Sequence, residues 1–135
     1  MEKYIFIICP FVALISCQVM KSIGELIKYK RFNIYRLFNG NGGMPSTHTS
    51  FVSSITMLIG FKFGFDTPLF ALAFTTSFVI SYDAMGVRQE AGKHAKIINN
   101  LINERKLKEE LGHKALEVIV GYIYGTLIAF LFSLI

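Results

Sequence analysis

Charge is distributed along this chain in a way that leaves few folds open. Residues 4–20 and 67–82 contain no Asp, Glu, Lys or Arg, residues 115–135 contain only Glu117, and residues 49–65 contain only Lys62 near one end. Helices of a soluble bundle keep a polar face, and these stretches have none. Each approaches the ~20 residues that carry an α-helix across a bilayer, and the two shorter ones suit a compact or tilted bundle. Of the 135 residues 53% are apolar and 17% charged, with 13 Phe and no Trp. The expectation is an all-α fold: an integral membrane helical bundle of about four transmembrane helices plus interfacial amphipathic helices, forming a single membrane domain over residues 1–135. No internal repeat or low-complexity tract divides it.

Residues 1–20 also have the apolar run of a signal peptide, and Leu14-Ile15-Ser16-Cys17 resembles a lipoprotein cleavage box. The n-region offers only Lys3, so the segment reads as a retained first membrane helix. Cys9 and Cys17, eight residues apart and expected to face roughly opposite ways, have neither disulfide nor metal spacing and read as packing residues. Gln18 and Lys21 are expected to close that helix. Residues 22–38 then read as a basic amphipathic segment along the membrane surface, with Ile23, Leu26, Ile27, Ile34, Leu37 and Phe38 on one face. Asn39-Gly40-Asn41-Gly42-Gly43 is a loop, Gly64-Phe65-Asp66-Thr67-Pro68 a tight turn, and Gly112 a break before the last span. Gly121 and Gly125 form a small-xxx-small pair suited to close helix packing, within one subunit or in a homodimer.

Eleven of the fourteen Lys and Arg fall in 21–48 and 83–113. The positive-inside rule puts both segments in the cytoplasm, which makes the plasma (inner) membrane the expected location. Counting spans places all the reactive side chains at that one face: Lys21, Ser46, Thr47, His48, Asp83, Arg88, His94, His113 and Glu117. Gly42-Gly43-Met44-Pro45-Ser46-Thr47-His48 runs from a bent, glycine-rich loop into a helix start, where free amides and the helix dipole favour an anion. An imidazole beside such an anion can move a proton near neutral pH. Cations and imidazoles without a cysteine or carboxylate-rich metal set point to metal-free phosphate chemistry, with no cofactor. The expected partners are a lipid phosphate substrate and the membrane, not nucleic acid.

Pro45-Ser46-Thr47-His48 resembles the Pro-Ser-Gly-His motif of the type 2 phosphatidate phosphatase and vanadium haloperoxidase superfamily. The fuller pattern GGMPSTH, DAMGVRQEAGKHAKIIN and LGHKALEV resembles its divergent branch, small membrane proteins described as acid phosphatase- or haloperoxidase-related. The resemblance runs from Gln18 to Gly125. It implies a metal-independent lipid phosphatase, acting on a phosphatidate- or polyprenyl-(pyro)phosphate-like substrate through a phosphohistidine.

Carried onto this chain, the resemblance makes His48 the acid for the leaving group and Ser46 a phosphate donor. Thr47 stands where the superfamily has glycine. Lys21, Gly43 and Arg88 join Ser46 and Thr47 as phosphate-binding residues, and Asp83 supports them. The first superfamily motif ends in an Arg-Pro pair that is absent here; Arg36 is a weak substitute. Two placements of the nucleophile fit the third motif. In one, Arg88, Gly92 and His94 reproduce the motif's spacing, with Ile98 where its aspartate would stand. In the other, the histidine is His113 and Glu117 four residues on orients it; this is the favoured placement. The missing residues equally fit a non-catalytic lipid-phosphate binding or transport protein of the same fold.

Overall fold

A computed structural model describes residues 4–29, 43–109 and 112–135. These residues form five helices and no strand: α1 Ile5–Tyr29, α2 Thr47–Phe63, α3 Pro68–Met85, α4 Val87–Ile102 and α5 Ala115–Ser133. Among the described residues three segments are long and apolar enough to cross a membrane, Ile5–Gly24 in α1, the segment beginning at Pro68, and Ala115–Ser133. The protein is a helical membrane bundle.

The fourth expected span is α2, and it differs from the other three. It has only 17 residues and buries Thr47, Thr49, Ser50, Ser53, Ser54 and Thr56 along with Leu58, Ile59 and Gly60. Its neighbours explain this composition, because α2 packs against α1, α3 and α5 and is the centre of the bundle. Buried hydroxyls must find acceptors, and here they turn back onto helix carbonyls. Ser50 Oγ donates to Ser46 O at 2.8 Å, Ser54 Oγ to Phe51 O at 2.8 Å, and Thr56 Oγ1 to Val52 O at 2.7 Å.

Small residues let α5 approach α2 closely. A methyl group on Gly121 would stand 2.6 Å from Ser46 O, and one on Gly125 would stand 2.4 Å from Ser50 O and 2.0 Å from Ser53 Oγ. The glycine pair therefore serves packing within the subunit. Tyr124 Oη adds a polar tie from α5 to α1, donating to Ser16 Oγ at 2.8 Å.

Two expectations for α1 are corrected. Gln18 and Lys21 do not close it, since the helix continues to Tyr29. Nothing in the sequence stops it: Gly24 costs helix stability without ending the helix, and Ile23, Leu26 and Ile27 prolong the helical pattern. Positions 30–38 of the expected surface segment and residues 39–42 of the loop lie outside the described residues. Cys9 and Cys17 do not face opposite ways either. Both are fully buried, on one ridge with Ile5 and Ala13. At about 100° per residue, eight residues end only ~80° from where they started.

Candidate functional site

Lys21 continues the Ile5-Cys9-Ala13-Cys17 ridge by one more step of four, and that register brings its amine to the start of α2. Lys21 Nζ donates to Thr47 Oγ1 at 2.9 Å. One turn earlier, Cys17 Sγ lies 3.6 Å from Pro45 O and 3.7 Å from both Thr47 Oγ1 and Ser50 Oγ. The sequence reading took Cys17 for plain packing and missed this contact with the loop. Its four-residue spacing from Lys21 is the signal that points to it.

The loop before α2 is held from several sides. Met44-Pro45 is a cis peptide, and Gly43 has φ 86°, a conformation that favours glycine. Ser46 is completely buried. Its amide donates to Glu117 O at 2.9 Å, and its Oγ accepts from Thr49 N at 3.4 Å and Thr49 Oγ1 at 2.9 Å. Ser46 is thus the N-cap of α2 and ties that helix start to the first turn of α5. The amides of Thr47 and His48 make no hydrogen bond among the described residues, as the first amides of a helix lack an intrahelical acceptor.

His113 is placed by an equally specific set of contacts. Its amide donates to Ala84 O at the end of α3, at 2.9 Å. Gly112 before it has φ 87°, and a methyl group there would stand 2.6 Å from Gln89 N and 3.0 Å from Arg88 C. The Gly112-His113 pair therefore rests on the first turn of α4. His113 Nδ1 meets Glu117 Oε2 at 2.9 Å, and the same carboxylate oxygen accepts from Lys114 N at 3.1 Å. The imidazole side chain is 6% exposed and the carboxylate side chain 19%. With Nδ1–H donated to the carboxylate, Nε2 carries the lone pair of the ring.

Arg88 donates Nε to Asp83 Oδ2 at 2.8 Å, with both side chains well exposed. An exposed pair of this kind contributes about 0–1 kcal/mol, so its consequence is direction rather than stability. His48 lies within electrostatic reach of Arg88, His113 and Lys21, and Lys21 within reach of Glu117. His48 itself is exposed, in the first turn of α2. Lys21, Ser46, Thr47, His48, Asp83, Arg88, His113 and Glu117 are thus assembled at one end of the bundle, drawn from all five helices and the connections between them.

His94 is placed elsewhere. It is exposed on α4, one turn from Glu90 of the same helix. No three His, Cys, Asp or Glu among the described residues are grouped as a metal set. The sequence reading also missed Asn99, which is buried on α4. Its Oδ1 accepts from Leu107 N at 2.9 Å and its Nδ2 donates to Leu107 O at 2.8 Å. That side chain fastens the connection leading back to Gly112 and His113.

Sequence comparison adds a family. The model of the Divergent PAP2 family matches residues 2–128. A relative from Bacillus subtilis (strain 168), named as the uncharacterized membrane protein YuiD, is 31% identical over 136 residues, covering 86% of this chain and 85% of its own. No solved structure matches.

Proposed function

Because the chain belongs to the Divergent PAP2 family, a branch of a phosphatase-related superfamily, we propose that it is a membrane lipid phosphatase working through a phosphohistidine. The observation that carries this reading is the His113–Glu117 contact at 2.9 Å, at the same end of the bundle as His48, Arg88 and Lys21. Its substrate is a phosphate monoester or diphosphate whose hydrocarbon tail lies in the bilayer.

In the proposed reaction His113 Nε2 attacks phosphorus, and the bond from phosphorus to the lipid oxygen breaks. His48 gives that oxygen a proton and so releases the alcohol, or the lipid monophosphate when the substrate is a diphosphate. Water then attacks the phosphohistidine, His48 takes a proton from it, and inorganic phosphate leaves with His113 restored. Glu117 holds the imidazole in the tautomer that exposes Nε2 and stabilises the positive charge the ring acquires. Arg88 and Lys21 offset the charge of the phosphoryl oxygens, and the amides of Thr47 and His48, which have no acceptor among the described residues, serve the same anion. Gly43 and Ser46 shape the loop, with Ser46 Oγ accepting from Thr49 at the α2 cap and the Ser46 amide donating to Glu117 O. Asp83 directs Arg88.

The test is purified protein in lipid nanodiscs, assayed for phosphate release from phosphatidate and polyprenyl diphosphate. Radiolabelled substrate should leave acid-labile, base-stable label on the protein, and His113→Gln should remove it. Release by His48→Ala and His113→Ala equal to wild type would end the catalytic reading. Tight binding of lipid phosphate with neither release nor label would select the non-catalytic binding protein instead.

A further inference from the structure

Helix α4 has an apolar face that no other described residue covers. Val87, Ala91, His94, Ile98 and Leu101 follow one another at steps of three and four and so share one side of the helix. All five are exposed, with Val87 at 70%, Ile98 at 43% and Leu101 at 77%. A second side carries Lys93, Lys96 and Asn100, also exposed, and the narrow third side buries Gly92, Ala95 and Asn99. Among the described residues α4 packs against α3 and no other helix.

The preceding helix indicates where this face lies. The 18 residues of α3 span about 27 Å at 1.5 Å each, close to the ~30 Å hydrocarbon core. The apolar run from Pro68 to Ile102 is 35 residues, about 52 Å as one helix, which no single crossing accommodates. The backbone breaks instead at Gly86, with φ −100° and ψ −91°, and α4 starts one residue later. It therefore begins where the bilayer ends. From residue 87 to 109 there are six Lys and Arg against three Glu, a balance that favours an anionic lipid surface.

We propose that α4 lies along the surface of the leaflet next to the candidate site, with Val87, Ile98 and Leu101 among the lipid headgroups and a preference for anionic lipid. Arg88, in its first turn, is then held between the membrane surface and the Gly112-His113 connection, while His94 faces the lipid.

The chain has no Trp, so Ile98→Trp, Leu101→Trp and Asn100→Trp each introduce a single fluorescent reporter. The full chain carrying each is reconstituted into phosphatidylcholine vesicles with and without phosphatidylglycerol, using lipids brominated at the upper tail carbons as quenchers. The Ile98→Trp and Leu101→Trp reporters should be blue-shifted and quenched at least twofold more than Asn100→Trp, by a wider margin when phosphatidylglycerol is present. Equal quenching at all three positions would overturn the proposal. So would a blue-shifted Ile98→Trp reporter that no brominated lipid quenches, since that face would then be covered by protein, such as a second copy. A margin insensitive to phosphatidylglycerol would overturn the preference for anionic lipid. None of these readouts requires phosphate release, so the placement of α4 is tested separately from the phosphatase reading.

Discussion

His113 Nδ1 and Glu117 Oε2 stand 2.9 Å apart across the start of α5, and the same carboxylate oxygen accepts from the Lys114 amide. One short acidic side chain thereby caps a helix and orients an imidazole. The first prediction follows from that contact. Glu117→Gln keeps the shape but removes the negative charge facing the ring. Phosphate release should fall by about 10²- to 10⁴-fold in kcat with KM changed less than tenfold. Steady-state kinetics on both proteins is the check, and an unchanged kcat would deny Glu117 its part.

The two histidine placements separate cleanly by mutation. His94 is exposed on α4 beside Glu90, whereas His48 lies within electrostatic reach of Arg88, His113 and Lys21. His94→Gln should leave phosphate release within about twofold of wild type, and His48→Gln should lower it by about 10²- to 10⁴-fold. If the His94 variant loses covalent phosphate labelling while His113→Gln retains it, the nucleophile is His94.

Lys21 holds its amine 2.9 Å from Thr47 Oγ1 on a half-buried stem. Lys21→Met keeps much of the stem's volume and removes the charge. A hydrogen bond to a charged group contributes about 1.5–3 kcal/mol, so the variant should bind inorganic vanadate or phosphate about 10- to 150-fold more weakly. Competition against phosphatidate turnover measures this, and an unchanged inhibition constant would remove Lys21 from the anion site.

Glycines at two positions are expected to respond in opposite ways. Gly112 has φ 87° and no room for a methyl group beside Gln89 N, so Gly112→Ala should destabilise the fold by about 1–3 kcal/mol. Gly24 is helical with nothing within 4 Å of an added methyl. Gly24→Ala should therefore be neutral or stabilising by about 0.5–1 kcal/mol. Gly125→Val, which would press on Ser53 Oγ and Ser50 O, should cost about 1–3 kcal/mol through overpacking. Thermal unfolding in one detergent orders the three. Gly112→Ala as stable as Gly24→Ala would mean that Gly112 is not held against α4.

The amino-acid sequence by itself determined the membrane character, the all-helical class and the end of the bundle where the polar side chains collect, though not where α1 ends. Each of these depends on local quantities. Charge-free runs choose the bilayer, Ser46 and Thr67 cap α2 and α3 through their own hydroxyls, and counting crossings puts Lys21, His48, Arg88 and His113 on one side. The pairing of His113 with Glu117 was legible for the same reason, since four residues are one helical turn.

Tertiary structure decided which helix is central and how the site is pinned. A run rich in Ser and Thr reads the same whether it faces lipid or other helices, and only packing shows that α2 is enclosed by α1, α3 and α5. Likewise, the Ser46 amide bonded to Glu117 O, the His113 amide bonded to Ala84 O, and Gly112 lying against Gln89 join residues far apart in the chain. Such contacts depend on how whole helices stack, and no local periodicity records that.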